Sequence, residues 1–290
     1  MLDFAGVVID GLSYGALLFL MSVGLSVTLG LMGFVNLSHT ALAMVGGYFM
    51  VFLSQRAGLP FGWAVLGAVI GATLLGALLE RGVYQWIYRR DAMVQVLLTI
   101  GVMLMLTASV IYVFGPSLQG ITIPTSLQGR MALGPLDASR YRLLLLATSV
   151  VLVVVLLLGI ERTRFGTMIR ASVDNQRVAA ALGIPIQRIF MATFAVGTAL
   201  AALGGALSVE ALGMDPAFAM KNLVLALLVV VVGGAGSVSG TFVASMALAI
   251  FDIACKYYVP EIGSFAMYGL MLVVLMIRPQ GIRGVRGATA

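Results

Sequence analysis

Charge is what this chain has least of. Asp, Glu, Lys and Arg make up 10% of its 290 residues, against about 25% in soluble globular domains. With 61% of the residues apolar, one water-facing core could not hide the surface. Soluble enzymes, nucleic-acid binders and disordered scaffolds are therefore excluded from the front rank. Cysteine is nearly missing: Cys255 stands alone, so neither an intrachain disulfide nor a cysteine metal cluster can form. His39 is the single histidine. Polar-tract linkers are absent too. The first ten residues carry no Lys or Arg, so no secretory leader is expected and the chain inserts by its own spans.

What fills the sequence is membrane-length apolar segments. A helix of about 20 mainly apolar residues crosses ~30 Å of hydrocarbon. Such segments lie near 5–31, 62–80, 93–114, 143–160, 188–209, 241–259 and 262–277. Two others are interrupted. One, 36–53, carries Asn36, Ser38, His39 and the pair Gly46 and Gly47. The other, 223–232, rises about 15 Å, half a bilayer, before a glycine-rich run at 233–240. The expected fold is all-α: one polytopic membrane domain over 1–290, a helical bundle of about eight transmembrane segments with broken or re-entrant helices. Its two long extramembrane pieces are an outer loop at about 115–140, with Gly115-Pro116 and Gly134-Pro135 as turn signals, and an inner loop at about 161–188.

The net charge of +6 is then a statement about orientation. With the C-terminus in the cytoplasm, eleven basic and four acidic residues fall inside, six basic and seven acidic outside. The Lys/Arg bias sets orientation. It places the N-terminus outside and the C-terminus inside, and it implies no nucleic-acid partner.

Three segments carry polar or glycine patterns that a plain span does not need. In the first, Asn36, Ser38, His39 and Thr40 follow Gly33. Polar side chains in a span are costly unless they are satisfied or face a wet cavity. The stretch reads as an unwound segment along a substrate path, or as a turn in which Asn36 or Ser38 caps the next helix; both can hold at once. His39 has no carboxylate beside it in sequence, which favours a structural place at a helix start over a proton relay.

The second is the run containing Gly233, Gly234, Gly236, Ser237 and Gly240. A phosphate-binding loop needs Lys after its last glycine, and here Thr241 follows Gly240. Dinucleotide spacing fails as well, because Gly240 comes one residue too late. The run is a helix break whose serines satisfy freed backbone groups.

The third is the inner loop. Phe165, Met168, Ile169 and Val173 recur at helical spacing with arginines between them. Asp174 is expected to cap a second short helix that runs to Leu182, with Gly183 closing it and Pro185 preventing continuation. Such helices either lie on anionic lipid or dock on a cytoplasmic protein. The small side chains of Ala179 and Ala180 suit a close-packed groove better than a bilayer surface. The docking candidates are Arg170, Asn175, Ala179, Ala180, Leu182 and Gly183. Elsewhere, Gly11 with Gly15 and Gly67 with Gly71 are spaced for close helix packing.

Together these residues resemble LivH-type permeases, the membrane subunits of ATP-binding-cassette importers for branched-chain amino acids. Val35-Asn36-Leu37-Ser38-His39-Thr40 with Gly46-Gly47-Tyr48 is similar to the family's first signature. Arg164-Phe165-Gly166 through Ala179-Ala180-Ala181-Leu182-Gly183-Ile184 is similar to its coupling-helix motif, with Ala179 where a Glu often stands. The glycine run and Arg278-Pro279-Gln280-Gly281 also match. The resemblance implies a second homologous permease subunit, two cytoplasmic ATPase subunits and a periplasmic or extracellular substrate-binding protein, in a bacterial cytoplasmic (inner) membrane. ATP would be bound and hydrolysed by the partners, and this chain would be no enzyme and hold no cofactor or metal. Asn36, Ser38, His39 and the glycine break would line the path. A permease for urea or short amides stays open, as does a stand-alone secondary transporter. The latter usually keeps an ionisable group at mid-membrane, whereas Asp252 and Glu210 sit towards span ends. One His and one Cys among scattered carboxylates offer no catalytic constellation.

Overall fold

Hydrocarbon offers no hydrogen bonds, so a chain this apolar must pair its backbone within helices. The computed structural model describes residues 2–88, 90–133 and 136–277. In chain order the helices are α1 (Leu2–Met32), α2 (His39–Val51), α3 (Phe61–Gly82), α4 (Ala92–Phe114), α5 (Arg140–Glu161), α6 (Arg164–Asp174), α7 (Gln176–Ala181), α8 (Ile186–Leu212), α9 (Phe218–Gly233), α10 (Val238–Tyr258) and α11 (Pro260–Ile277). Six of them, α1, α3, α4, α5, α8 and α10, are long and apolar enough to cross a membrane; α9 and the apolar part of α11 are shorter. The expected all-α membrane bundle of about eight segments is present. The 13-residue α2 is a further apolar helix, too short to cross by itself.

Burial sorts the helices into two shells. In α1, 83% of the apolar window is buried, against 17–22% in α3, α4 and α5. A helix apolar all round belongs in the interior, and α2 fits: every residue but Phe49 is buried. It is wrapped by α3, α4, α8 and α9. In lipid, helix association relies on close van der Waals packing rather than on a hydrophobic drive, which explains the small residues at the crossings. A Cβ at Gly11 would lie 2.7 Å from Ile250 Cα of α10, and one at Gly15 would lie 3.0 Å from Met246 Cα. Gly46 sits on Ala202 of α8, and Gly205 of α8 on the Ala43 carbonyl. Gly67 and Gly71 receive Leu53 and the Phe49 ring. Both sequence-expected glycine pairs thus mark contacts. Polar residues inside the bundle turn back on their own helices, as Thr28 does to Gly24 O (3.1 Å) and Thr198 to Phe194 O (3.0 Å).

Three details depart from the sequence expectations. The outer loop contains an antiparallel hairpin, β1 (Arg130–Leu133) paired with β2 (Leu136–Ser139); its linking Gly134-Pro135 lies outside the described residues, as does the tail from Arg278. The outer loop is also pinned across the molecule, with Gln119 and Met214 exchanging backbone hydrogen bonds at 2.8 Å each. The cap of α7 is Asn175, not Asp174. Asn175 has extended backbone, and its Oδ1 accepts from the amides of Arg177 and Val178 at 3.1 Å each, while Asp174 ends α6.

Gly205→Ala should lower the melting temperature of the detergent-solubilised protein, since a methyl group there must push α8 off α2, at about 1–3 kcal/mol. Gly101→Ala, with nothing within 4 Å of the new carbon, should leave the melting temperature unchanged or raise it.

Candidate functional site

The first helix break is extended chain held inside the protein. α1 ends at Met32, and Gly33 takes a left-handed φ of +62° to leave it. The chain then runs back beside α1. His39, the first residue of α2, lies against Gly24, where a Cβ would sit 2.7 Å from its Cε1. Gly24 is eight residues, about 12 Å, before the end of α1. Phe34, Asn36 and Ser38 are all buried. Non-helical backbone at this depth is tolerated only when other groups pair with it.

Helix α4 supplies them. Gln95 Oε1 accepts the Val35 amide at 3.1 Å, and Thr99 Oγ1 accepts the Leu37 amide at 3.2 Å. The spacing explains the fit. Four residues along a helix rise about 6 Å, and two along an extended chain about 6.6 Å. Two side chains one turn apart therefore meet two amides on one edge. Gln95 Nε2 also donates to Arg90 O (3.1 Å), which ties the chain just before α4 to the same point.

The Asn36 side chain closes a local turn, its Oδ1 accepting from the Ser38 amide (3.1 Å) and the Ser38 hydroxyl (2.7 Å). Since the Ser38 proton is committed to Asn36, the Tyr84 hydroxyl, 2.5 Å away, donates to Ser38 Oγ. Of the two expected caps, Asn36 is the one whose side chain holds backbone; Ser38 makes no cap bond to α2. Around this sits an aromatic box in which Phe34 meets Tyr84, Tyr88 and Phe194 with ring centres 5.0–6.5 Å apart. Tyr88 OH donates to Glu80 at 3.1 Å. Burial first, and then the Glu80 carboxylate, hold the Tyr88 hydroxyl well above its ordinary pKa, so it stays a neutral donor. Asn36 Nδ2, His39 Nε2 and Thr40 Oγ1 remain buried without a hydrogen-bond partner among the described residues.

The glycine run forms the second break, and it docks on the same turns of α1. Gly234 and Gly236 have φ of +93° and +82°. Ser237 caps α10 by accepting the Gly240 amide at 3.0 Å. The Gly236 amide donates to Ser26 O (3.0 Å), and Thr241 Oγ1 donates to Ser26 Oγ (2.9 Å). Gly233 and Gly240 lie so close that a Cβ on Gly233 would be 2.6 Å from Thr241 N. Of the path residues expected from sequence, His39 and the glycine run rest on the same stretch of α1, between Gly24 and Gly30, while Asn36 and Ser38 are tied to each other and to Tyr84.

The inner-loop residues form a separate elbow. Thr163 caps α6, and Gly166 fits under the Ile160 carbonyl. Arg170 donates to that same carbonyl at 2.7 Å, so its fixed task is to lock α6 to α5. After α7, Gly183 (φ +82°) donates to Ala180 O, and Ile184 to Ala179 O at 3.1 Å. That is the paired closure expected of a glycine after a helix. Ala179 is buried, while Ala180, Val178 and Leu182 are exposed, Leu182 at 76%.

The family model for the branched-chain amino acid transport system permease component matches residues 7–275. The chain belongs to that family. The permease is 24% identical over 290 residues to the high-affinity branched-chain amino acid transport permease LivH of Escherichia coli K12, covering 95% of this chain and 94% of that one. It is 25% identical to BraD of Pseudomonas aeruginosa, with the same coverage. It is 27% identical to a probable LivH of Methanocaldococcus jannaschii, over 94% of this chain and 90% of that one.

In the permease, Gln95, Thr99, Tyr84 and Ser26 are the site residues that sequence reasoning passed over. The signal for two of them was present: Gln95 and Thr99 are polar residues one turn apart within an apolar span. Thr99→Val keeps the side chain's shape but strands the Leu37 amide. Hydrogen exchange at 35–38 should then accelerate while the rest of α4 stays protected. Gln95→Leu should do more, costing about 1–3 kcal/mol for each group left unpaired, read as a lower melting temperature.

Proposed function

We propose that the permease is the membrane subunit of an ATP-driven importer of branched-chain or related aliphatic amino acids. It would work with a second permease, two cytoplasmic ATPases and an external binding protein, in the cytoplasmic membrane with its N-terminus outside. The observation that carries this reading is the α6–α7 elbow. It is a short helix with both ends fixed, by Asn175 and Gly183, that leaves Val178 and Leu182 exposed one turn apart. An apolar pair held rigidly in water is what a protein groove recognises at low entropic cost. Arg170 and Gly166 join the elbow to α5, so a push on α7 reaches the bundle. The relatives, named as branched-chain amino acid transport permeases, support the cargo class.

Within the bundle the two breaks form the path. Polar, non-helical backbone buried among helices is the recurrent structure of substrate routes, and the unspent Asn36 Nδ2 donor and the open His39 Nε2 are available to a passing polar group. ATP binds the partner subunits, and this chain contributes movement rather than chemistry.

Leu182→Glu should cut ATP-driven uptake, and recovery of the ATPases with the chain, by about ten-fold or more, while membrane insertion is unchanged. Normal uptake by that variant would remove the docking role. Gradient-driven uptake by the chain alone in liposomes would make it a stand-alone carrier.

A further inference from the structure

Away from the two breaks, at the other end of α1, helices α1, α5, α8 and α10 line a cavity of about 370 Å³, within the ~300–1,000 Å³ range of small-molecule sites. Two ion pairs stand on its wall. Arg142, near the start of α5, binds Asp10 of α1. Lys256 Nζ binds Asp252 Oδ2 of α10 at 2.6 Å. Between them the lining is mostly apolar, with Leu17, Leu145 and Ile253, and Ser13 and Tyr14 of α1 complete it. The Asp252 side chain is only 3% exposed, six residues and about 9 Å short of the end of α10.

A carboxylate buried in a membrane helix is costly even when paired, and an apolar residue would fill the same volume at no such cost. Packing therefore does not account for it. Recognition does. A zwitterion with an aliphatic side chain needs a cation for its carboxylate, an anion for its ammonium and apolar contact between them. It also solves the charge problem on entry: each protein charge can trade its partner for one end of the ligand, so no charge is left unpaired. The Arg142 and Lys256 side chains, about half exposed, have the freedom to make that exchange.

We propose that this cavity binds the zwitterion of an aliphatic α-amino acid, with Arg142 and Lys256 on the carboxylate and Asp10 and Asp252 on the ammonium. The inference rests on the amino-acid import reading above and gives the permease its own recognition of cargo, separate from any binding protein. An ethanolamine lipid headgroup offers the same pair of charges, so the test separates the two sources.

The full complex is placed in nanodiscs of phosphatidylglycerol, without binding protein, and saturation-transfer NMR is recorded with leucine, 3-methylbutylamine and 4-methylpentanoate. Leucine should give signal, and either singly charged analogue about ten-fold less. Arg142→Gln and Asp252→Asn should each weaken the leucine signal by a similar factor. The double variant Asp252→Asn/Lys256→Gln, which leaves no unpaired charge, should stay weak. Recovery in the double variant makes the pair structural and overturns the proposal, as does a signal that survives every variant. Loss of the leucine signal on adding phosphatidylethanolamine assigns the cavity to lipid and overturns it too. Uptake by wild-type vesicles is measured alongside. No ATP-driven uptake of any aliphatic amino acid defeats the importer reading itself, whereas uptake with an unresponsive cavity defeats this site alone.

Discussion

A backbone amide has nowhere to go in hydrocarbon, and that constraint decides where this chain can depart from a helix. It does so at two places inside the bundle, and at each the missing hydrogen bonds come from elsewhere in the protein. At 33–38 they come from Gln95, Thr99 and Asn36. At 234–237 they come from Ser26 and Ser237. Polar residues are few in this sequence, and much of their use is explained by this one requirement. The lipid-facing helices α3, α4 and α5 are free to be almost wholly apolar because their own backbones are complete.

Glycine has the complementary task. Where polar side chains repair the backbone, missing side chains let helices approach until van der Waals contact holds them. α1 shows both on one helix. Gly11 and Gly15 meet α10 near its start, and Gly24, Ser26 and Gly30 receive the two breaks near its end. That the breaks share a support means that a shift of α1 is felt at both, and the proposed path depends on their acting as a unit.

How much of this could be read in advance follows from the range of each interaction. The spans and the basic elbow are local: an apolar window or a Gly183–Pro185 stop needs no partner to be recognised. The cap of α7 was misplaced by one residue because Asp174 and Asn175 are both good caps, and only backbone conformation distinguishes them. The β1–β2 hairpin escaped notice because its eight residues lie in a loop between strong apolar signals. Gln95 and Thr99 stand out in α4 as polar residues one turn apart, but their task stays hidden because the amides they hold lie some sixty residues away. For the same reason Asn36 was legible as a polar anomaly, while its role as a turn-former became plain only once Ser38 and Tyr84 were seen beside it.

The contact between Ser26 and the glycine run also sets a clock. The partners are 210 and 215 residues apart, so at ~5–20 residues per second α1 leaves the ribosome roughly 10–40 s before its counterpart exists. The first helix must wait in the bilayer with that edge unmatched, and the bundle reaches its final form only when the last third of the chain has been made.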